Sequence, residues 1–254
     1  MPSHDRRMRP WHLAAAALAV LTAWQVAAML VDRAVLPPPI AVLHAFVAEL
    51  PAGLARHLLV SAWRVVASIL LAVVAAVPAG LALGLSPAVD RLAAPVIYFL
   101  YPIPKIVFLP VVLLLLGIGN LSKIVIIGLI LFFQILVVVR DEAAGIRPEL
   151  IASVRSLGAG RRAIFRFVYL PASLPAVLTS LRVSIGTAIA VLFFAESFAT
   201  TSGLGYYIIS ESWGRLAYPE MYAGVVAMSL LGLALYVVVD RLERALCPWL
   251  AISA

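Results

Sequence analysis

Charged residues are scarce in this sequence. Of its 254 residues, 12% are charged and 64% are hydrophobic, and the mean hydropathy is +1.09. A soluble domain of ordinary composition has about 25% charged and 45–50% apolar residues. The composition therefore excludes an ordinary soluble domain and indicates a chain whose solvent is a lipid bilayer.

Cysteine and lysine are almost absent. Cys247 is the single cysteine, which excludes an internal disulfide. The only lysines, Lys105 and Lys123, are each followed by isoleucine, so neither can be the lysine of a G-x-x-x-x-G-K-[ST] phosphate-binding loop. The chain is not expected to hydrolyse ATP by itself.

Metal-ligand spacing and catalytic motifs are also missing. The four histidines fall in the first quarter of the chain at no metal-ligand spacing: His4, His12, His44 and His57. The zinc-protease pattern HExxH and the nucleophile-elbow pattern GxSxG are absent. We expect no metal site and no catalytic residues, which disfavours a membrane-embedded enzyme.

Six apolar stretches are long enough to cross a bilayer, which requires about 20 residues per helix. They cover residues 13–31, 58–85, 92–119, 124–139, 170–198 and 221–239. Arg6, Arg7 and Arg9 before the first stretch resemble the start of a signal peptide, but that stretch exceeds the usual 7–15 residues and five more follow. We predict an all-α integral membrane protein with an uncleaved first span.

The distribution of basic residues predicts the orientation, because cytoplasmic loops carry the excess of lysine and arginine. With a cytoplasmic N-terminus, the outer loops hold only Arg33, Arg56, Lys123 and Arg215, and Arg64, Lys105 and Arg182 lie within apolar runs. The cytoplasmic segments hold the rest: Arg6, Arg7, Arg9, Arg91, Arg140, Arg147, Arg155, Arg161, Arg162, Arg166, Arg241 and Arg244. Both termini are therefore predicted to be cytoplasmic.

One inner loop, residues 140–169, is long. Apolar residues within it recur at helical spacing, Pro148 suits a first helical turn, and Gly158 suits the position after a helix end. We predict a short amphipathic helix over residues 148–157. By pattern alone it could lie on anionic lipid or dock onto a cytoplasmic partner.

This loop resembles the EAA loop of ABC-importer permeases, whose signature is E-A-A, three residues, G, nine residues and I-x-L-P. Gly158, Leu170 and Pro171 match, and Val168 replaces isoleucine. Ala152, Ser153 and Val154 occupy the places of the triad, so its glutamate is missing. Glu142-Ala143-Ala144 spells the triad, but the glycine position after it holds Pro148.

The resemblance implies a coupling helix that enters a cleft on an ATPase subunit. The residues that it assigns to coupling are Ala152, Ser153, Leu157, Gly158, Ala159, Leu170 and Pro171.

Further motifs extend the resemblance over almost the whole chain, to the nitrate, sulfonate and taurine branch of these permeases. They are Leu36-Pro37-Pro38-Pro39, Tyr101-Pro102-Ile103-Pro104, Gly117-Ile118-Gly119-Asn120, Ala195-Glu196 and Gly203-Leu204-Gly205. The resemblance implies a type I importer permease in the bacterial inner membrane. It also implies an anionic solute, a permease dimer (a homodimer by expectation), an ATPase dimer that binds ATP and magnesium, and a periplasmic solute-binding protein. No nucleic acid is expected as a partner.

We predict three regions in the chain. They are a tail, first helix and outer loop over residues 1–57, a five-helix core over 58–240 that includes the long inner loop, and a cytoplasmic tail over 241–254.

A stand-alone carrier or channel is the alternative function, and it leaves the long inner loop without a role.

Polar residues inside the spans are the candidates for a translocation path, because ionisable groups in a bilayer usually face a cavity or pair with one another. Lys105 follows two prolines in a span that they should break, although it could instead snorkel or pair with an acid such as Glu196. Arg182 and Glu196 could equally be structural. The full candidate set is Tyr98, Tyr101, Lys105, Gln134, Arg182 and Glu196.

Two further surfaces leave alternatives open. Ala76, Gly80 and Gly84 form a face of small residues that could pack within the subunit or against a second permease. The segment from Gly203 to Trp213 is rich in aromatic residues, so it could contact a solute-binding protein or anchor the chain at the membrane interface.

Overall fold

The computed structural model describes residues 10–251, and within this range every regular element is a helix. The predictions on His4, Arg6, Arg7 and Arg9 lie outside the described residues. The α-helices are α1 (Pro10–Val31), α2 (Pro39–Glu49), α3 (Ala55–Leu85), α4 (Pro87–Leu100), α5 (Leu109–Leu116), α6 (Asn120–Ala144), α7 (Pro148–Ser156), α8 (Arg161–Ile164), α9 (Leu170–Ser197), α10 (Leu204–Tyr206) and α11 (Tyr218–Leu246).

Proline and glycine mark several of the helix boundaries. Pro39, Pro87 and Pro148 begin α2, α4 and α7, where a missing N–H costs nothing because the first helical N–H groups lack partners. Gly117 follows α5 at φ 77°, a backbone conformation that glycine adopts without steric cost. Short π-helical turns over Phe165–Tyr169 and Tyr207–Ser212 join helices into longer runs. Between α2 and α3, over Leu50–Leu54, the backbone is kinked at Gly53, whose dihedral angles are not helical.

The prediction of about six spans is confirmed. In the described residues, five helical runs are long and apolar enough to cross a bilayer, and there are six if α4 and the segment Lys105–Leu116, which are bent by 79° relative to each other, are counted as one span. The bend falls at Pro102 and Pro104, which cannot donate a backbone hydrogen bond and so interrupt a helix. The third span is therefore broken, as its prolines predict.

Two expectations about the outer loops are wrong. Residues 39–49 form α2 and run through a wide turn into α3, so the loop after α1 is much shorter than expected. Lys123 was expected in a loop, but α6 begins at Asn120 and places Lys123, fully buried, in its first turn. Of the three prolines at 37–39, the last begins α2.

Two compact units can be distinguished by their internal contacts, and they divide the chain differently from the predicted domains. Among the described residues, the first contains 10–61, 196–231 and 250–251, and the second contains 62–195 and 232–249. In the first unit, the fully buried apolar side chains include Leu54, Leu204 and Ala223. In the second, they include Ile126, Ile135 and Leu192.

The small-residue face of α3 packs against α6 within the second unit. A Cβ atom added to Gly80 would lie 2.8 Å from the Cβ of Val139. One added to Gly84 would lie 2.6 Å from the Cβ of Ala143 and would also meet the carbonyl oxygen of Arg140. Because these distances are below van der Waals contact, only glycine permits this helix approach. The face serves packing within the subunit.

We expect Gly84→Val to destabilise the folded chain by about 1–3 kcal/mol, because the new side chain must push the α6 backbone away. The measurement is unfolding in detergent, followed by α-helical circular dichroism. Gly186→Val is the matched control, since Gly186 has nothing within 4 Å of its added Cβ. Equal stability of the two variants would contradict the packing role.

Candidate coupling loop and translocation path

The short helix predicted in the long inner loop is α7, which ends one residue before the predicted boundary. It is followed by Leu157, whose side chain is 85% exposed, and by Gly158 at φ 83°. The N–H of Gly158 donates to the carbonyl of Arg155 at 2.9 Å, which closes the last turn. Gly158 is thus the left-handed residue that ends the helix, as its position predicts.

The other residues assigned to coupling belong to the same loop or to the helix that leaves it. Ala152 and Ser153 are exposed on α7, and Ala159 is partly exposed. Leu170 and Pro171 begin α9. The structure therefore presents these residues as one continuous cytoplasmic element.

The EAA-like triad at residues 142–144 lies elsewhere, as predicted. Glu142, Ala143 and Ala144 form the last turn of α6, and the Ala143 side chain is buried. The loop instead carries its own recess, a hollow of about 520 Å³ lined by Pro148, Ile151, Ala152, Arg155 and Tyr169.

Lys105 lies at the break in the third span, in a short 3₁₀ turn over Lys105–Phe108. Its Nζ donates to the carbonyl of Tyr101 at 2.6 Å. The same atom lies 4.5 Å from the centre of the Phe133 ring and 5.2 Å from that of Tyr101. Among residues 10–251, Lys105 forms no ion pair, so no acidic side chain of the described residues neutralises its charge.

Two cavities bring three of the six candidate path residues together. One, of about 340 Å³, is lined by Tyr101, Lys105, Phe133 and Gln134 among others. The second, of about 320 Å³, also contains Tyr101 and Gln134 in its wall. Gln134 Oε1 is enclosed and accepts no hydrogen bond from the described residues.

Hydroxyl groups on α9 complete the wall of the second cavity, and sequence reasoning missed them. They belong to Thr179, Ser180, Ser184 and Thr187. Ser180, Ser184 and Thr187 are four and three residues apart, which places them along one helix face, and Thr179 lies next to Ser180. A period of hydroxyl residues in an otherwise apolar span was the signal that could have identified this face.

Tyr98 lies apart from these two cavities. It is 77% exposed and borders a hollow of about 740 Å³ that also contains Asp90 and Arg140. The Arg140 guanidinium donates to both carboxylate oxygens of Asp90, at 2.5 and 2.8 Å. This bidentate pair joins α4 to α6.

Arg182 points to acidic residues of α11. It lies 2.8 Å from Glu243 Oε2 and 3.5 Å from Asp240 Oδ1. Thr179 donates to the other oxygen of Glu243 at 3.1 Å. The guanidinium is therefore occupied by two carboxylates, which favours the structural role over the path.

Glu196 is fully buried near the end of α9. Its Oε2 accepts a hydrogen bond from Ser61 Oγ at 2.7 Å and another from the N–H of Gly205 at 3.1 Å. It does not line either of the two cavities that contain Tyr101 and Gln134. These contacts also favour a structural role.

These features define a polytopic helical membrane protein with an exposed cytoplasmic loop and a span broken beside a polar cavity. Residues 68–252 match the family described as binding-protein-dependent transport system inner membrane components. The chain belongs to this family and is a multi-pass inner-membrane permease subunit of an ABC importer.

Curated relatives extend over nearly all of the chain. The taurine transport system permease protein TauC of Escherichia coli K12 is 33% identical, over 97% of this chain and 95% of its own length. The putative aliphatic sulfonates transport permease protein SsuC of the same strain is 32% identical, over 96% and 92%. The formylaminopyrimidine transport permease protein ThiX of Halalkalibacterium halodurans is 26% identical, over 91% and 93%.

Solved structures show the same fold. An inward-facing structure of the MetNI methionine ABC transporter matches with a TM-score of 0.63 and 22% identity, over 76% of this chain and 95% of that one. The prediction of a type I importer permease fold is confirmed.

We expect Arg182→Ala to destabilise the folded chain by about 1.5–3 kcal/mol, because it leaves Asp240 and Glu243 without their shared cation. Uptake per folded transporter should stay close to that of the unchanged chain. Unfolding in detergent and uptake normalised to folded protein measure the two effects. Arg244→Ala is the control, since Arg244 is 79% exposed and exposed pairs contribute less than about 1 kcal/mol. If Arg182→Ala lost uptake but kept its full stability, Arg182 would be assigned to the translocation path instead.

Proposed function

We propose that this permease subunit carries a small anionic solute of the sulfonate or taurine class from the periplasm to the cytoplasm. Alternating access driven by a separate ATPase subunit would move the solute. The observation that carries the proposal is Lys105, a cation without an ion-pair partner among the described residues, held at a break in a membrane span beside a polar cavity. The names of two relatives, for taurine and for aliphatic sulfonates, support the same solute class.

The contacts of Lys105 suit a cation that exchanges partners. A carbonyl oxygen and two aromatic faces stabilise an ammonium group without neutralising its charge. Hydrogen bonds between charged groups are about twice as strong as neutral ones. An anion that enters the cavity can therefore displace the Tyr101 carbonyl.

The second cavity, which shares Tyr101 and Gln134 with the one beside Lys105, suits the oxygen atoms of such an anion. The phenol of Tyr101 and the hydroxyls of Ser184 and Thr187 are hydrogen-bond donors. A sulfonate group presents three acceptor oxygens, so a wall of several neutral donors can hold it while Lys105 balances its charge.

The exposure of this wall is the basis for proposing a homodimer. Tyr101 and Val183 border the second cavity and are 46% and 74% exposed. Polar groups at membrane depth are tolerated only where protein or a water-filled cavity covers them. A second copy of the chain that faces this wall would enclose a common path and keep lipid away from it.

The coupling loop supplies the contact with the ATPase. Leu157 and Leu150 are exposed apolar side chains on or beside α7, and an amphipathic helix that fills a groove is a common mode of protein recognition. We propose that α7 docks in a cleft of the ATPase subunit, which binds ATP and magnesium, and that a periplasmic solute-binding protein delivers the solute. Both termini of the permease then face the cytoplasm.

The first experiment is co-purification of the tagged chain with the ATPase subunit co-expressed from its own operon. We expect stable capture by the unchanged chain and about tenfold weaker capture by Gly158→Val. A side chain at φ 83° costs about 1–2 kcal/mol, and 1.4 kcal/mol corresponds to a factor of ten in affinity.

Gly160→Val is the matched control for that experiment. Gly160 also has nothing within 4 Å of an added Cβ, but its backbone does not require a positive φ. Equal capture by both variants would contradict the coupling role of Gly158. A folded chain that captures no ATPase would instead favour a stand-alone carrier.

Lys105→Ala should lower ATP-dependent taurine uptake at least tenfold, whereas Lys105→Arg should retain part of it because the positive charge remains. Capture of the ATPase should be unchanged in both variants, which separates solute handling from assembly. Radiolabelled taurine uptake in cells that express the complete transporter measures the effect. Normal uptake by the alanine variant would show that Lys105 is structural.

A further inference from the structure

The segment that follows α9 begins with three consecutive backbone N–H groups that donate to side chains. The N–H of Gly203 donates to His57 Nδ1 at 3.0 Å, that of Leu204 to Ser61 Oγ at 2.7 Å, and that of Gly205 to Glu196 Oε2 at 3.1 Å. These groups lie at the start of the helical segment Leu204–Ser212, where N–H groups have no partner within the helix. His57, Ser61 and Glu196 therefore form a cap supplied by the other helices, α3 and α9.

The cap is connected internally. His57 and Ser61 are one turn apart on α3, and the Ser61 hydroxyl donates to the same Glu196 oxygen that accepts from Gly205. Ser61 thus uses its hydrogen to hold Glu196 and its oxygen to hold Leu204. Removal of this one hydroxyl would break two of the connections.

Burial makes each connection necessary. Ser61, Glu196 and Leu204 are fully buried, and Gly205 is buried with them. Since no water can replace a lost acceptor there, each released N–H must either remain unsatisfied or move with its segment. Gly203 has φ 111°, and a Cβ atom added to it would lie 2.6 Å from Glu196 Oε2. The approach of Glu196 thus requires glycine at this position.

His57 also reaches the far end of the same segment. Its Nδ1 accepts a hydrogen bond, so the ring proton of the neutral form is on Nε2, which lies 3.3 Å from Glu211 Oε2. A second attachment joins Tyr207, whose phenol donates to Glu49 Oε2 at 3.3 Å. Burial and the Glu49 carboxylate raise the pKa of Tyr207, so the phenol keeps its proton at neutral pH.

Beyond these attachments the chain forms an exposed turn. Trp213 and Leu216 are 53% and 65% exposed, and Leu216 has φ 58°. The turn is closed by a bond from the N–H of Ala217 to the carbonyl of Ser212 at 3.0 Å. The cap therefore fixes one end of a segment whose other end carries exposed side chains on the outer side of the membrane.

We propose that Glu196, Ser61 and His57 are positioning residues for transport, because their cap holds the 203–216 segment in the place that solute entry requires. This inference rests on the proposed import function. An apolar contact could cover the start of this helix without the burial of a carboxylate. Hydrogen bonds to three successive N–H groups do more, because they fix both the position and the rotation of the helix. The cap acts on solute entry and not on coupling to the ATPase.

Two paired tests examine the proposal in the assembled transporter. His57→Leu removes the acceptor for Gly203, whereas His57→Asn keeps one, since Asn Oδ1 occupies the place of Nδ1. Ser61→Ala removes the central hydroxyl. Ser229→Ala is its control because, within the part of the chain that the structure describes, Ser229 donates only to the Val225 carbonyl of its own helix. The readouts are hydrogen exchange of the amides at 203–205 and the concentration dependence of ATP-driven taurine uptake.

We expect His57→Leu and Ser61→Ala to accelerate exchange of these amides at least tenfold and to raise the half-saturating taurine concentration at least fivefold. The maximal uptake rate should change by less than a factor of two, and His57→Asn and Ser229→Ala should resemble the unchanged chain. If the amides at 203–205 stayed protected from exchange in these variants, the cap would be overturned. If they exchanged faster while the half-saturating taurine concentration did not change, the role of the cap in solute entry would be overturned. Absence of taurine uptake by the unchanged transporter would count against the proposed solute, while the exchange measurement would still test the cap.

Discussion

Hydrocarbon cannot form hydrogen bonds with a peptide group, and the rest of this structure depends on that constraint. Every regular element among residues 10–251 is a helix, the only open-ended arrangement that satisfies its own backbone in a bilayer. Two stretches of irregular backbone show how this constraint is met outside the helices. The irregular backbone around Pro102 and Pro104 lies beside a polar cavity. At Gly203, the backbone N–H that has no partner within a helix donates to a buried side chain instead.

The same constraint explains the behaviour of several charged side chains in the spans. The Arg140 guanidinium holds Asp90 in a bidentate pair, and Arg182 shares two carboxylates of α11. Such arrangements offset the cost of removing charges from water. Lys105 differs because its contacts are a carbonyl and two rings. That difference distinguishes a charge available to a solute from charges that hold helices together.

The sequence was sufficient for features that depend on local chemistry. The six spans, the break after Tyr101 and the helix that ends before Gly158 follow from apolar length, missing N–H groups and the conformational freedom of glycine. The coupling-loop residues were assigned by resemblance, and the structure places them on one exposed element. Their contact with an ATPase remains a proposal.

Features that depend on tertiary contacts could not be predicted in this way. In the sequence, Arg182, Glu196 and Lys105 cannot be told apart, because each is an ionisable residue in an apolar run. The partners that distinguish Arg182 and Glu196 lie tens of residues away along the chain. The hydroxyl face of α9 matters only because it meets Gln134 and Tyr101 across a cavity. The burial of Lys123 likewise depends on the start of α6 and on its surroundings.

The wide turn over Phe165–Tyr169 lies between the coupling loop and α9. A π-helical turn contains about one residue more than an α-helical turn, and each residue of an α-helix advances the helix by about 100°. The extra residue therefore offsets the angular phase of α8 from that of the hydroxyl face on α9. Gain or loss of a single residue in this turn would therefore rotate α8 by about 100° relative to the hydroxyl face of α9, so the length of this turn sets which way the loop faces while the cavity wall stays in place.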